Sequence, residues 1–396
     1  MHASPYGTSV KAFRDGVGPR FVRIDPLLAL ATIALLACSV YTIASATKSD
    51  IDGDPNFYIY RQAAYAAVGL AFMFVLARVD YSRFREWRAG LYIGLLGVIV
   101  LVFALGTASR GSRRALDLGF FQLQTSELGK VLLILALAAF AVDRVRRLGD
   151  RETTSRLVLM ALVPAMLVIA QPDLGSGLVY IAIAAAILFV AGTKWTHFAA
   201  LGALAATAMV VVLVAAPAAG VEVLKPYQMD RLTAFVNPTE NPAKQGYQQA
   251  QSLVAIGAGG KTGRGDEATQ TKLDFLPEHH TDFIFSVVGE EFGFMGAALV
   301  LSLFALLIWR CLRILTMAKN LYGSLIAGGV TAMLMFQIFV NVGMTIGIMP
   351  ITGVTLPLMS YGGSSVIVTL MALGLMQSIH AQAREMALSK GRDIAL

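Results

Sequence analysis

Apolar runs punctuated by short polar breaks recur along almost the whole chain. They fall near residues 26–46, 62–78, 90–107, 126–142, 157–171, 175–192, 197–217, 283–309, 322–346 and 363–381. A helix of about 20 such residues crosses a bilayer, so the pattern predicts an all-α polytopic membrane protein with about ten transmembrane helices. Several runs fall short of that length, which leaves their ends open by a few residues. One long polar stretch, 218–282, separates the seventh run from the eighth. The chain thus divides into a leader (1–26), spans 1–7 (27–217), the 218–282 loop, spans 8–10 (283–383) and a tail (384–396). The first run ends in Ala44-Ser-Ala46, which resembles a signal-peptidase site. Its apolar length exceeds that of a signal peptide, so a retained helix is expected.

Charge supplies the orientation. With the N-terminus inside, alternate loops place twenty Lys and Arg on the cytoplasmic side and eleven outside, six of the eleven in the long loop. That bias predicts cytoplasmic termini and an extracytoplasmic 218–282 loop. Composition agrees, since 56% apolar and 14% charged among 396 residues exclude an ordinary soluble domain. The net charge of +7 sits in short loops between apolar runs, which is a topology signal and not a nucleic-acid footprint. Cys38 and Cys311 lie in or beside different spans and predict neither a disulfide nor a metal site. The chain shows no convincing internal repeat, which weighs against repeat-built transporters.

Candidate chemistry gathers on the outer side. In Leu276-Pro-Glu-His-His-Thr-Asp282 a polar run passes without a linker into an apolar one, and two acids, Glu290 and Glu291, follow. For a membrane helix starting near Asp282, Glu290 lies about 12 Å into the hydrocarbon, where carboxylates are paired, turned to a cavity or used in chemistry. The alternative is a buried structural acid. Arg110, Arg113 and Arg114 precede the fourth span. Their guanidinium forks suit phosphate, while lipid head groups or loop packing would serve as well. Gln124-Thr-Ser-Glu-Leu-Gly-Lys130 opens that span, with Ser126 expected as its N-cap. Glu127 and Lys130 stand three apart on one face, as a neutralising pair or as a direct site. Asp173, in Gln171-Pro-Asp-Leu-Gly175, is expected to cap the sixth span. In the long loop, Arg231, Lys261 and Arg264 are cationic, but the glycines of 257–265 lack phosphate-loop spacing and predict a flexible segment. Pro350, Pro357, Gly362 and Gly363 forbid a regular helix before the last span, and Ser364 or Ser365 is expected to cap it.

Six blocks in order resemble the SEDS family of cell-wall proteins, whose members include RodA, FtsW and SpoVE. They are Gly111-Ser-Arg-Arg-Ala-Leu-Asp-Leu-Gly119, Ser126-Glu-Leu-Gly-Lys130, Gln171-Pro-Asp-Leu-Gly175, Gly246-Tyr-Gln-Gln-Ala-Gln-Ser252, Leu276-Pro-Glu-His-His-Thr-Asp-Phe-Ile-Phe285 and Pro357-Leu-Met-Ser-Tyr-Gly-Gly-Ser-Ser365. Ala115, Thr125 and Ser176 depart from the family pattern in packing and turn stiffness more than in charge. The short termini and residues 343–353 look more like the RodA branch.

The resemblance implies a peptidoglycan glycosyltransferase that polymerises lipid II at the outer face of the cytoplasmic membrane, in the service of elongation and cell shape. It places the family's required aspartate on Asp282, as general base, and its intramembrane acid and lysine on Glu127 and Lys130. Arg110, Arg113, Arg114 and Lys130 become candidates for the pyrophosphate, with Arg231, Lys261 and Arg264 behind them, His280 and Ser364 in support, and a divalent cation (Mg or Mn) as a further candidate. The implied partners are a class B penicillin-binding protein and other membrane proteins of the elongation complex. A precursor flippase or transporter, and a non-catalytic scaffold for a transpeptidase, are the competing readings.

Overall fold

The computed structural model describes residues 24–47, 54, 56–105, 107–109, 112–117, 122–220, 228–229, 245–272, 275–276 and 278–389. For 105, 107–109, 112–117, 245, 266, 271 and 272 the description covers the backbone alone. Eight helices among these residues are long and apolar enough to cross a membrane, and two shorter apolar ones bring the number to ten. They are α1 (Pro26–Ala46), α2 (Phe57–Arg78), α3 (Arg88–Leu105), α4 (Thr125–Asp143), α5 (Arg151–Ala170), α6 (Leu174–Val190) and α7 (Trp195–Val210, continued through one π turn to Ala218). A shorter helix, α8 (Gln245–Gly259), follows in the long loop, and then come α9 (Ile284–Met317), α10 (Leu321–Thr345) and α11 (Gly363–Ser389). The ten apolar runs thus become ten helices, with α2 starting five residues earlier than its hydropathy suggests.

Burial sorts the helices. Of the spanning stretch of α11, 83% is buried, and α4 and α10 follow it into the centre of the bundle. None of α7 is buried by the described residues, which leaves its apolar surface to lipid, another chain or another segment. The α2–α11 contact is close because Gly374 offers no side chain, and a Cβ there would lie 2.7 Å from the Met73 carbonyl oxygen. Small residues at such crossings let helix backbones approach where no hydrophobic effect drives them together.

At one end of the bundle α1 begins on Asp25, whose carboxylate accepts the Leu28 N–H at 2.9 Å, with Pro26 in the first helical turn. The same carboxylate pairs with Arg310 of α9 and lies 3.5 Å from His380 Nδ1 of α11, all three buried. Burial alone would raise the Asp25 carboxyl, but the Arg310 hydrogen bond and the Leu28 amide outweigh it and hold the group below its ordinary range. Arg85 and Arg88 share Asp143 at this end, each at 2.9 Å.

The other end holds two features absent from the hydropathy pattern. Between α3 and α4 the chain forms a three-stranded antiparallel sheet, β1 (Thr107–Ser109), β2 (Ser112–Asp117) and β3 (Gln122–Gln124), with Ala115 opposite Gln124. A connection at a membrane edge must satisfy its backbone groups, and strand pairing meets much of that need. The second feature is α8 and the turn after it, which dock on α9.

That docking corrects two expectations. Helix α9 has 34 residues, about 51 Å at 1.5 Å each, far longer than a hydrocarbon core of about 30 Å. It is broken at Gly293, at φ 61° and ψ −159°. The amides of Phe294 and Met295, freed by the break, donate to the carbonyls of Gly260 and Lys261, and Arg264 N–H donates to the Glu290 carbonyl. The 257–265 glycines are therefore a fitted plug, not a loose loop. Gly263→Ala would set a Cβ 2.0 Å from the Glu291 carbonyl oxygen at φ +87°. This substitution is expected to cost about 1–3 kcal/mol of stability, and an unchanged thermal melting curve of the purified protein would refute the plug. Glu290 is likewise employed structurally, its carboxylate accepting the Thr269 and Gln270 amides at 2.8 and 2.9 Å. Because the break and its plug surround it, Glu290 is a loop anchor and not an acid stranded along an unbroken membrane helix.

Candidate functional site

Asp282 sits at the entry to α9 in a turn that other elements hold from outside. Glu278 takes φ +59°, a left-handed conformation unusual for a residue with a side chain, and its carbonyl accepts the Thr281 amide at 3.1 Å. The Thr281 hydroxyl donates to the Glu278 carboxylate at 2.9 Å. From α10, the Asn341 amide donates to the Asp282 carbonyl at 2.8 Å and to that of Val354 at 2.7 Å. From the approach to α11, Tyr361 N–H donates to the His280 carbonyl at 2.9 Å. Leu358, three residues earlier, also has positive φ, at 63°. Strained backbone held by surrounding structure in two adjoining segments marks a place where geometry is being specified. The bonds from Asn341 and Tyr361 reach the backbone of the turn, and the Asp282 side chain is half-buried.

Ser364 ties the β-hairpin to the start of α11. Its hydroxyl donates to the Gln122 carbonyl at 2.7 Å and accepts the Gln124 amide at 2.8 Å, so it staples β3 instead of capping α11. Ser365 bonds the Thr355 hydroxyl at 3.0 Å and is no cap either. Ser364→Ala removes both bonds and strands the Gln124 amide, with an expected loss of about 1–3 kcal/mol. Thermal unfolding of the purified variant measures it.

The strand β3 runs straight into α4. Its N-cap position is Gln124, not Ser126, whose hydroxyl donates to Asp173 at 2.8 Å. Ser126 lies two residues inside α4, and there a short side chain finds a neighbouring acceptor more easily than its own helix amides. Asp173 does cap α6, accepting the Ser176 amide at 3.1 Å, and so joins the two helix starts. One turn into α4, Lys130 donates to Glu127 at 2.6 Å, with both side chains buried. This is the ion pair that the spacing predicts.

The remaining candidates divide. Arg110 and Arg231 lie outside the described residues, and for Arg113 and Arg114 the description stops at the backbone of β2. Lys261 and Arg264 are both exposed beside the α9 break, about 14 Å along the helix from its first turn at 1.5 Å per residue. Arg264 also donates to the Thr269 hydroxyl at 3.2 Å. His280 is half-buried against Tyr58 and Tyr361, with ring centroids 4.8 and 5.7 Å away. In the sequence Arg61 reads only as an outer charge, and Tyr58 draws no attention. The available signal is the FYIYR sequence at 57–61, an aromatic cluster with a cation at a membrane edge. Among the described residues no three His, Cys, Asp or Glu side chains converge as a metal cage.

A bundle of ten apolar helices, with an aspartate-bearing turn and a buried acid–lysine pair at one end, defines a multi-pass membrane protein with a polar site at its membrane edge. The family model FTSW_RODA_SPOVE, described as "Cell cycle protein", matches residues 23–385. The chain belongs to this family, the SEDS peptidoglycan glycosyltransferases. It is 39% identical over 373 residues to the "Probable peptidoglycan glycosyltransferase FtsW" of Thioalkalivibrio sulfidiphilus, covering 92% of this chain and 91% of the relative. It is 37% identical over 369 residues to the "Peptidoglycan glycosyltransferase MrdB" of Escherichia coli K12, covering 93% and 96%. Such even identities do not divide the branches. A solved chain described under "Structural coordination of polymerization and crosslinking by a peptidoglycan synthase complex" superposes with a TM-score of 0.78 at 32% identity, covering 92% of this chain and 99% of that one.

Proposed function

We propose that this chain polymerises lipid II into glycan strands at the outer face of the cytoplasmic membrane, for cell elongation, with Asp282 as general base. The observation that carries the reading is the Asp282 turn, which Asn341 and Tyr361 fix through its backbone and which presents a half-buried carboxylate at the entry to α9. A sugar hydroxyl loses its proton to Asp282 while its oxygen bonds to the anomeric carbon of the donor. The anomeric C–O bond to the polyprenyl diphosphate breaks, and the leaving group keeps the electron pair. Cations stabilise that departing charge, and Arg110, Arg113, Arg114 and Lys130 are proposed for this, with Arg231, Lys261 and Arg264 behind them. Glu127 holds Lys130 in place and Ser364 holds the hairpin.

A divalent ion (Mg or Mn) enters this reading only through the diphosphate. Such ions are commonly held by one or two carboxylates plus substrate phosphates, and the described residues offer no fuller cage. The proposed partner is a class B transpeptidase within an elongation complex. It is supported by the synthase complex whose chain this one resembles and by the uncovered α7. In this reading both termini lie in the cytoplasm, as the charge bias of the loops predicts.

The test is incubation of the purified protein with labelled lipid II, with and without its transpeptidase. Glycan polymer is the expected product. No polymer in either arm, with transbilayer movement of lipid II in vesicles, would instead establish the flippase reading. No polymer and no movement, with the transpeptidase bound, would establish the scaffold.

A further inference from the structure

Three segments far apart in sequence bring aromatic rings together beside the Asp282 turn. Tyr58 comes from the first turn of α2, His280 from the turn itself, and Tyr361 from the approach to α11. The Tyr58 ring centroid lies 4.8 Å from His280 and 5.0 Å from Tyr361, the latter edge-on. Phe57 extends the wall, edge-on to Tyr58 at 5.3 Å, and the Arg61 guanidinium lies 4.3 Å above the Phe57 ring. Arg61 also hydrogen-bonds the Tyr361 hydroxyl. Burial first of all, and then neighbouring Tyr65, push that hydroxyl up to about 12 in spite of Arg61.

The ordinary explanation for aromatics at this level is the interfacial belt that anchors membrane helices in lipid. Tyr60 fits that description, being 69% exposed. At about 100° per residue, Tyr58 points to the opposite side of α2 from Tyr60, toward His280 and Tyr361. Tyr58 and Tyr361 pack against the edge of the core, but they, Arg61 and His280 are each only half-buried, so part of each side chain stays open. The wall is partly exposed and partly polar. It also lies next to the chemistry, since His280 and Asp282 are two residues apart and their Cα atoms therefore at most about 7 Å.

We infer that Tyr58, His280, Tyr361 and Arg61 form a carbohydrate subsite, which holds an amino-sugar pyranose ring beside the general base. The inference rests on the glycosyltransferase reading. Aromatic faces carry negative charge and attract polarised C–H edges, such as those on the flat side of a pyranose. Stacking of this kind orients a ring without reading each hydroxyl, as a polymerase advancing along a repetitive glycan requires. Arg61 supplies the fork that an anionic substituent of the sugar, carboxylate or phosphate, would meet.

The test uses the purified full-length protein with labelled lipid II, and separately a soluble glycan oligomer lacking lipid and diphosphate. Tyr58→Leu is expected to raise KM for lipid II, or to weaken oligomer binding, roughly two- to tenfold, with kcat within about twofold. Tyr58→Phe, which keeps the ring, should restore wild-type values, and Tyr60→Leu should behave as wild type throughout. Weaker oligomer binding assigns the wall to the growing glycan; a KM effect alone assigns it to the lipid-linked donor. Unchanged KM and unchanged oligomer binding in Tyr58→Leu would overturn the subsite. Should that variant fail to fold, Arg61→Gln is measured for the same two quantities, and a change in either supports the subsite while no change overturns it. A wild-type protein that makes no polymer counts against the proposed function. Oligomer binding that depends on Tyr58 would still uphold the subsite in that case.

Discussion

Asp282→Asn is expected to cut the initial rate of lipid II polymerisation by about 10²- to 10⁴-fold, the usual contribution of a positioned general base. The amide matches the carboxylate in shape but cannot accept the proton of an attacking hydroxyl. The fold should not register the change. Asn341 bonds the Asp282 carbonyl and Tyr361 bonds that of His280, and an amide at 282 leaves both of these backbone contacts in place. The assay is therefore glycan synthesis read beside monodispersity and thermal melting of the same preparation. Loss of polymer with an unchanged melting curve supports the assignment, and full activity would sink it. An inactive and unstable variant would point to a structural role for the carboxylate.

The second large effect concerns stability and lies at the opposite end of the bundle. Arg310→Met should destabilise the protein by about 3–5 kcal/mol, because it leaves the Asp25 carboxylate buried without its main partner. Asp25 has no exposed surface and Arg310 only 3%. Asp25→Asn combined with Arg310→Met should recover much of that loss, since no charge is stranded and Asn still caps α1. Additive losses in the double variant would show that the two residues do not act as a pair. The sign with pH follows from the Asp25 carboxyl lying below its ordinary value of 3.8. The pair contributes fully above that value, and its contribution falls away as pH drops below it and through the lower folded value. On acidification below about pH 4, wild type should therefore lose stability more steeply than the double variant, which has no carboxylate there to protonate. Equal slopes in acid-unfolding curves of the two proteins would show that the pair carries no pH dependence.

Much was determined by the sequence alone. Hydrophobic runs are a local signal, because each span must bury its own length in lipid whatever its neighbours do, so the ten helices could be counted without a structure. Asp173 as a cap and Glu127–Lys130 as a pair were legible for the same reason, their partners being three residues away. Asp282 stood out at the border of a polar and an apolar run.

Tertiary structure decided what depends on partners distant in sequence. Ser364 staples Gln124 across 240 positions, and Arg310 reaches Asp25 across 285. Nothing in the spacing of either residue specifies such a partner. Ser126 and Ser364 looked like caps because a serine near a helix start has local acceptors and donors to hand, and each instead bonds a neighbouring element. The glycines of 257–265 looked loose for want of side chains, yet that lack lets their backbone meet the broken helix at Gly293. The aromatic wall exists only because α2, the Asp282 turn and the approach to α11 converge. Hydropathy records how deep a residue lies, and only the packed bundle records what faces it.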